Sequence, residues 1–187
     1  MAKACVRIGA RAFLALCAVS LFLAIGTRAQ DVVVGSIDKV DTGAKTIAVK
    51  TADGTVTVVK YTGDTTVAGL KDAAHGGDLV GKEGGHIIVH EVPDGADKVA
   101  HAVTFVGDAT VHTTEGTVFH IGKKSKTIGV KTADGTVKTF SVAKHATIDG
   151  GKDVYHYSSV KLKQGDHLVV YSTEEGGKEL AHAFKHL

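Results

Sequence analysis

Thr46-Ile47-Ala48-Val49-Lys50-Thr51-Ala52-Asp53-Gly54-Thr55-Val56-Thr57-Val58-Val59 is read in twos, not in 3.6s. Apolar residues alternate with small or polar ones on either side of Ala52-Asp53-Gly54. That alternation places one face of each arm in a core, and Asp-Gly is a strong turn signal, so the stretch predicts a β-hairpin. Its centre, Val49–Val56, returns residue for residue as Val130–Val137, 81 positions later. Ala100-His101-Ala102 returns at the same offset as Ala181-His182-Ala183, and the register holds without a gap from Gly35/Gly116 to the C-terminus. The chain is therefore two copies of one small unit.

Working outward from the hairpin, Val32–Val40 is β-rich and ends in the turn Asp41-Thr42-Gly43. A short Thr65-Thr66-Val67 follows the hairpin, then a Gly/Ala-rich connector, Ala68–Gly81. His86–Val92 reads as a further strand, Pro93-Asp94-Gly95 as a turn, and Lys98–Val106 as the closing strand. The second copy repeats the order with Gly116–Ile121, Lys126–Thr132, Thr136–Val142, Asp166–Ser172 and Lys178–His186. Neither copy contains a long amphipathic helix pattern.

Five strands with an insertion between the third and fourth suit a small closed barrel, which hides its edges. The run Lys126–Val137, followed by Gly165–Val170 and Ala181–Ala183, resembles the OB-like small β-barrel repeats of uncharacterised exported bacterial proteins. The first copy departs from that pattern at Gly84-Gly85, which lacks the acid of Gly165-Asp166. The resemblance implies an all-β chain of two tandem five-stranded OB-like β-barrels related by internal duplication. It implies no particular activity, because a fold of this kind does not carry function with it. A single continuous β-sandwich spanning both copies is the other architecture the pattern allows.

Residues 1–29 read as a secretory signal peptide. Lys3, Arg7 and Arg11 make a basic start, an apolar run follows to Ile25, and Thr27-Arg28-Ala29 sets small residues for a cut before Gln30. The repeats then divide as 30–110 and 111–187. Both cysteines (Cys5 and Cys17) and all three arginines lie in the leader. The mature part, with no membrane span, has no disulfide framework and no thiolate metal site. Its balance is 18 Lys against 20 acids. An exported, slightly acidic chain without arginine argues against nucleic acid as a partner. The first repeat carries 7 Lys against 12 acids and the second 11 Lys against 8. Drift of solvated faces explains that contrast; mutual attraction of the halves is the sharper reading.

No Gly-x-Ser-x-Gly, His-Glu-x-x-His, P-loop or dinucleotide-binding glycine motif occurs, and no carboxylate pair stands at a recognisable spacing. The unusual element is histidine: all eleven follow the leader, and His75/His156, His86/His167 and His101/His182 are equivalent between copies. On a strand, His86, Ile88 and His90 share a face. Folding the next strand back near Gly95 sets His101 roughly opposite Ile88, with diagonal neighbours ~7–8 Å apart. His86, His90 and His101 are thus candidate ligands for Cu, Ni or Zn, ions that imidazole suits. His167 and His182 form a poorer second set, with Tyr171 in place of His90. The competing reading makes His101 a hydrogen-bonded core residue among Val99, Val103 and Phe105, and His182 likewise between Leu180 and Phe184. The sequence thus points to a non-enzymatic exported module of the bacterial envelope, binding or structural, periplasmic or secreted, with an unidentified envelope or extracellular ligand. Its alternative is a histidine-based metal-binding protein of the periplasm.

Overall fold

The structure, a computed structural model, describes residues 31–70, 74–95, 97–149, 154–157 and 162–187. The signal-peptide reading of 1–29 lies outside the described residues. The first copy contributes β1 (Asp31–Asp41), β2 (Thr46–Lys50), β3 (Val56–Ala68), β4 (Ala74–His75), β5 (His86–Asp94) and β6 (Asp97–Gly107). β1 pairs with β2, β2 with β3, β3 with β6, β6 with β5, and β5 returns to β1. Five strands therefore close on themselves. β3 and β6 run parallel, and the other four joints of the ring are antiparallel. β4 is a short flap on β3, followed by a 3-10 turn, Gly76–Leu79, where the sequence shows only a connector.

The second copy repeats this with β7 (His112–Gly122), β8 (Thr127–Lys131), β9 (Val137–Asp149), β10 (Val154–His156), β11 (His167–Glu175) and β12 (Lys178–His186). β9 and β12 are its parallel pair. The two sheets are separate, with no described strand of one copy paired to a strand of the other. The chain is thus two tandem five-stranded OB-like barrels, and the continuous sandwich is not formed.

The most faithfully repeated stretch is a five-residue loop, longer than a two-residue hairpin turn. Lys50 pairs with Val56, and the Thr51 amide donates to the Thr55 carbonyl at 2.9 Å. The Asp53 carboxylate accepts from the Thr51 hydroxyl and from the Thr55 amide at 3.0 Å. Gly54 has φ of +84°, which glycine adopts without steric cost. Thr132, Asp134, Gly135 and Thr136 reproduce each of these features. Threonine, aspartate and glycine recur because the loop uses each for a separate bond or angle. Gly35 recurs as Gly116 for another reason: a Cβ there would lie 2.3 Å and 2.4 Å from the carbonyl oxygens of Lys50 and Lys131.

Each barrel has its own core. Ile37, Ile47, Val49, Val59, Tyr61, Leu79, Ile87 and Val89 fill the first. Val118, Ile128, Val130, Phe140, Ile148, Leu168, Val170 and Phe184 fill the second. A third cluster joins the barrels: Ile88 of β5 packs with Val169, Tyr171 and Ala183, flanked by Val32, Val34, Val106 and Val111. Ile87 and Val89 point inward while Ile88 points to the other barrel, so β5 is buried on both faces around Ile88. Lys185 also reaches across to Asp31 at 3.5 Å. Asp31 is also paired with Lys98 of its own barrel, and the part-exposed contact to Lys185 contributes little.

Candidate functional site

The histidines of the two candidate sets, His86/His90/His101 and His167/His182, stand in different settings. His90 is 1% exposed, on the face of β5 that carries Ile88 against the second barrel. Its Nε2 is buried without a hydrogen-bond partner among the described residues. Burial, and then the nearby charge of His101, push its pKa down to about 4, so the ring is neutral at pH 7. His86 opens β5, half-buried, with its Nδ1 also buried and unpartnered among the described residues. His167 is exposed at the start of β11.

His101 is not opposite Ile88; that position is taken by Thr104. The hairpin turns one residue later than expected, with Asp94 facing Asp97, and Glu91 then faces Ala100 while His90 faces Ala102. His101 is the extra residue of a β-bulge beside His90, and His182 occupies the same bulge between Ala181 and Ala183. The repeated Ala-His-Ala marks this bulge, where the parallel partner strand also bends away. His182 Nε2 lies 2.8 Å from the Thr173 hydroxyl, and burial lowers its pKa. Among the described residues, no group of three or more His, Cys, Asp or Glu side chains is placed to hold a metal ion.

The barrel mouths next to the connectors differ sharply between copies. In the first, the Tyr61 ring covers Gly76 so closely that a Cβ on Gly76 would sit 2.5 Å from it. Thr65 is fully buried there; its hydroxyl donates to the Ala100 carbonyl at 2.6 Å and accepts from the Thr62 amide at 2.9 Å. Leu79 adds a fully buried side chain. The mouth is filled.

In the second barrel the equivalent residues are Val142 for Tyr61, Ala143 for Thr62, Ala146 for Thr65 and Tyr157 for Gly76. The aromatic ring has moved from strand to connector, and Tyr157 lies against Phe184 at 5.0 Å between ring centres. These exchanges leave a cavity of about 620 Å³, within the ~300–1,000 Å³ of small-molecule sites. Ile121, Val142, Ala143, Ala146, Tyr157 and Leu162 supply its apolar wall. Lys123, Lys126, Lys144 and Lys163, all exposed, stand at its edge with His156. None of the four lysines is in an ion pair among the described residues. In the first copy their equivalents are Thr42, Lys45, Gly63 and Lys82. A smaller groove of about 390 Å³ lies between the barrels, with Phe105 and Thr104 on one side and Lys144, His145, Glu175 and His182 on the other.

No protein-family model and no curated protein matches the chain. Among solved structures, apo-CusF from Escherichia coli is 17% identical with a TM-score of 0.33, covering 42% of this chain and 89% of its own. A silver-bound CusF from the same organism is also 17% identical with a TM-score of 0.33, covering 42% of this chain and 94% of its own. Among the described residues, no helix is long and apolar enough to cross a membrane.

The residues that repeat carry no sign of the cavity. Its signal lies in residues that differ between copies: Tyr61 against Val142, Gly76 against Tyr157, and two lysines gained at one mouth.

Proposed function

We propose that the chain is a non-enzymatic, exported binding module whose second barrel holds a small molecule and whose first barrel is a filled scaffold. The observation that carries this reading is the internal comparison at the barrel mouths. One duplicated unit fills the position with its own Tyr61 ring; the other brings its ring, Tyr157, from the connector onto Phe184 and presents a cavity of about 620 Å³ with an apolar wall. The apolar wall of that cavity is open to water, and a ligand that covers it removes apolar surface from solvent. The leader sequence supports action outside the cytoplasm. The test is thermal denaturation of the mature chain against a panel of apolar small molecules. A Tm that rises with ligand concentration is expected. It should be lost in the double variant Val142→Tyr/Tyr157→Gly, which installs the pair of residues the first barrel uses. A Tm unmoved by the whole panel refutes the reading.

Binding of Cu, Ni or Zn through His90 and His101 is a second reading. It is supported by the neutral His90 ring, whose Nε2 has no partner among the described residues, lying within electrostatic reach of His101. Two imidazoles fall short of the three or four protein ligands such ions usually take. Calorimetric titration of metal-free protein tests it: a binding isotherm should vanish in His90→Ala/His101→Ala. No heat tighter than micromolar, or an isotherm that survives the double variant, removes it.

A further inference from the structure

We infer that the ligand of the second barrel is a single-chain amphiphile with one anionic head group, an alkyl carboxylate or alkyl phosphate. This deepens the binding reading above and rests on it. The apolar chain lies between Val142, Ala146 and Tyr157, and the head meets the lysines at the edge.

Three observations converge. The cavity wall is apolar where the first copy is polar: Ala143 and Ala146 stand in place of Thr62 and the hydrogen-bonded Thr65. The half-buried Ala143 and the buried Ala146 offer no side-chain donor or acceptor, so the part of the ligand that lies against them is hydrocarbon. The edge is cationic, since Lys123, Lys126, Lys144 and Lys163 all line it and no described carboxylate pairs with any of them. Two of those lysines have no counterpart in the filled barrel, where Thr42 and Gly63 occupy the positions. Opening of the mouth and gain of positive charge therefore occur in the same copy. Lysine suits such an edge because it presents a mobile point charge on a long apolar stem, able to follow a head group at the water surface without fixed geometry. Exposed ammonium groups attract an anion within about a Debye length of 8–10 Å.

The experiment is calorimetric titration of delipidated mature protein with dodecanoate, dodecyl phosphate, dodecanol and acetate, each below its aggregation limit. Dodecanoate, dodecyl phosphate or both should bind at one site per chain, because the first barrel is plugged. Their relative affinities distinguish a free fatty acid from a lysolipid-like source. Lys123→Gln/Lys163→Gln should weaken the anionic chains about tenfold and leave dodecanol unchanged. Val142→Tyr/Tyr157→Gly should abolish binding of every alkyl chain; circular dichroism, unchanged in the variant, shows that it folds. If dodecanol binds as tightly as both anions, the anionic class is wrong while the cavity still binds. If no alkyl ligand binds, or acetate alone does, the amphiphile is wrong, and the apolar panel decides separately whether the cavity binds anything. If the swap variant binds undiminished, the ligand sits elsewhere and the site is wrong.

Discussion

His90 enters the folded protein with a ring nitrogen that no described group bonds. Protonation in that place would bury a charge, and burial is the first cause of its pKa near 4 against an ordinary 6.5. The unfolded chain takes up the proton at the higher value, so between those limits it binds more protons than the folded one. Stability is therefore full above about pH 6.5 and falls as pH drops toward 4, at about 1.4 kcal/mol per unit, roughly 3 kcal/mol in all. His182, also lowered by burial, adds to the same trend. Glu91, raised by burial, opposes it in the acid limb. Urea denaturation followed by far-ultraviolet circular dichroism should show the midpoint falling from pH 7 to pH 5, and His90→Leu should flatten that slope. A wild-type midpoint independent of pH over this window would refute the assignment. Histidine is legible as the unusual residue of this sequence, but its setting is not. Whether a strand histidine meets solvent, a metal or another domain depends on what covers that face, and the covering barrel lies about 80 residues away in sequence.

At the level of elements, the hairpin around Thr51–Thr55 is readable because its chemistry is local: Asp53 and Gly54 act within five residues. The five main strands of each copy and their closure into a barrel are readable too, since alternation marks each strand and closure hides the edges; the parallel joint of β3 with β6 is not. The bulge at His101 and His182 is not, because one added residue leaves the alternation looking intact over so short a span. The ring exchange at the barrel mouths shows the same limit. Tyr61 and Gly76 are 15 positions apart, and each is ordinary alone; they acquire meaning as a pair in contact. A second exchange supports this view: a Cβ on Gly85 would lie 2.5 Å from the Phe105 ring, and the second copy has Asp166 and His186 at those positions, 4.0 Å apart. Contact pairs should couple energetically. Tyr61→Val alone leaves a hole and should cost roughly 2–4 kcal/mol. Gly76→Tyr alone overfills the mouth and should cost roughly 1–3 kcal/mol. The double variant copies the second barrel and should cost less than the sum by at least about 1 kcal/mol. Strict additivity in urea denaturation would mean that the two positions do not share a space.

For the whole molecule, the question is why two closed barrels stay together when neither lends the other a strand. The runs Ile87-Ile88-Val89 and Leu168-Val169-Val170-Tyr171 contain the answer: each is apolar on both faces, more than a barrel with one solvated face needs. Ile88, fully buried yet outside its own barrel's core, packs on Val169, Tyr171 and Ala183. Its burial contributes on the order of 1.5–3 kcal/mol, while the Lys185–Asp31 pair, part-exposed, adds little. Ile88→Lys should therefore separate the barrels without unfolding either. A single calorimetric transition should split into two, and small-angle scattering should give a larger radius of gyration. Ile87→Lys, one residue away but pointing inward, should instead unfold the first barrel. If Ile88→Lys keeps one transition at an unchanged Tm, the third cluster does not hold the molecule together. The cavity supplies a further check. All its described lining residues lie between Ile121 and Lys163, within the second barrel. An alkyl carboxylate should thus bind the Ile88→Lys protein with affinity within about threefold of the parent, since no wall is lost and differences under ~1.4 kcal/mol stay below tenfold. Loss of binding on separation would move the site from the second barrel to the groove between the two, where Lys144 also stands.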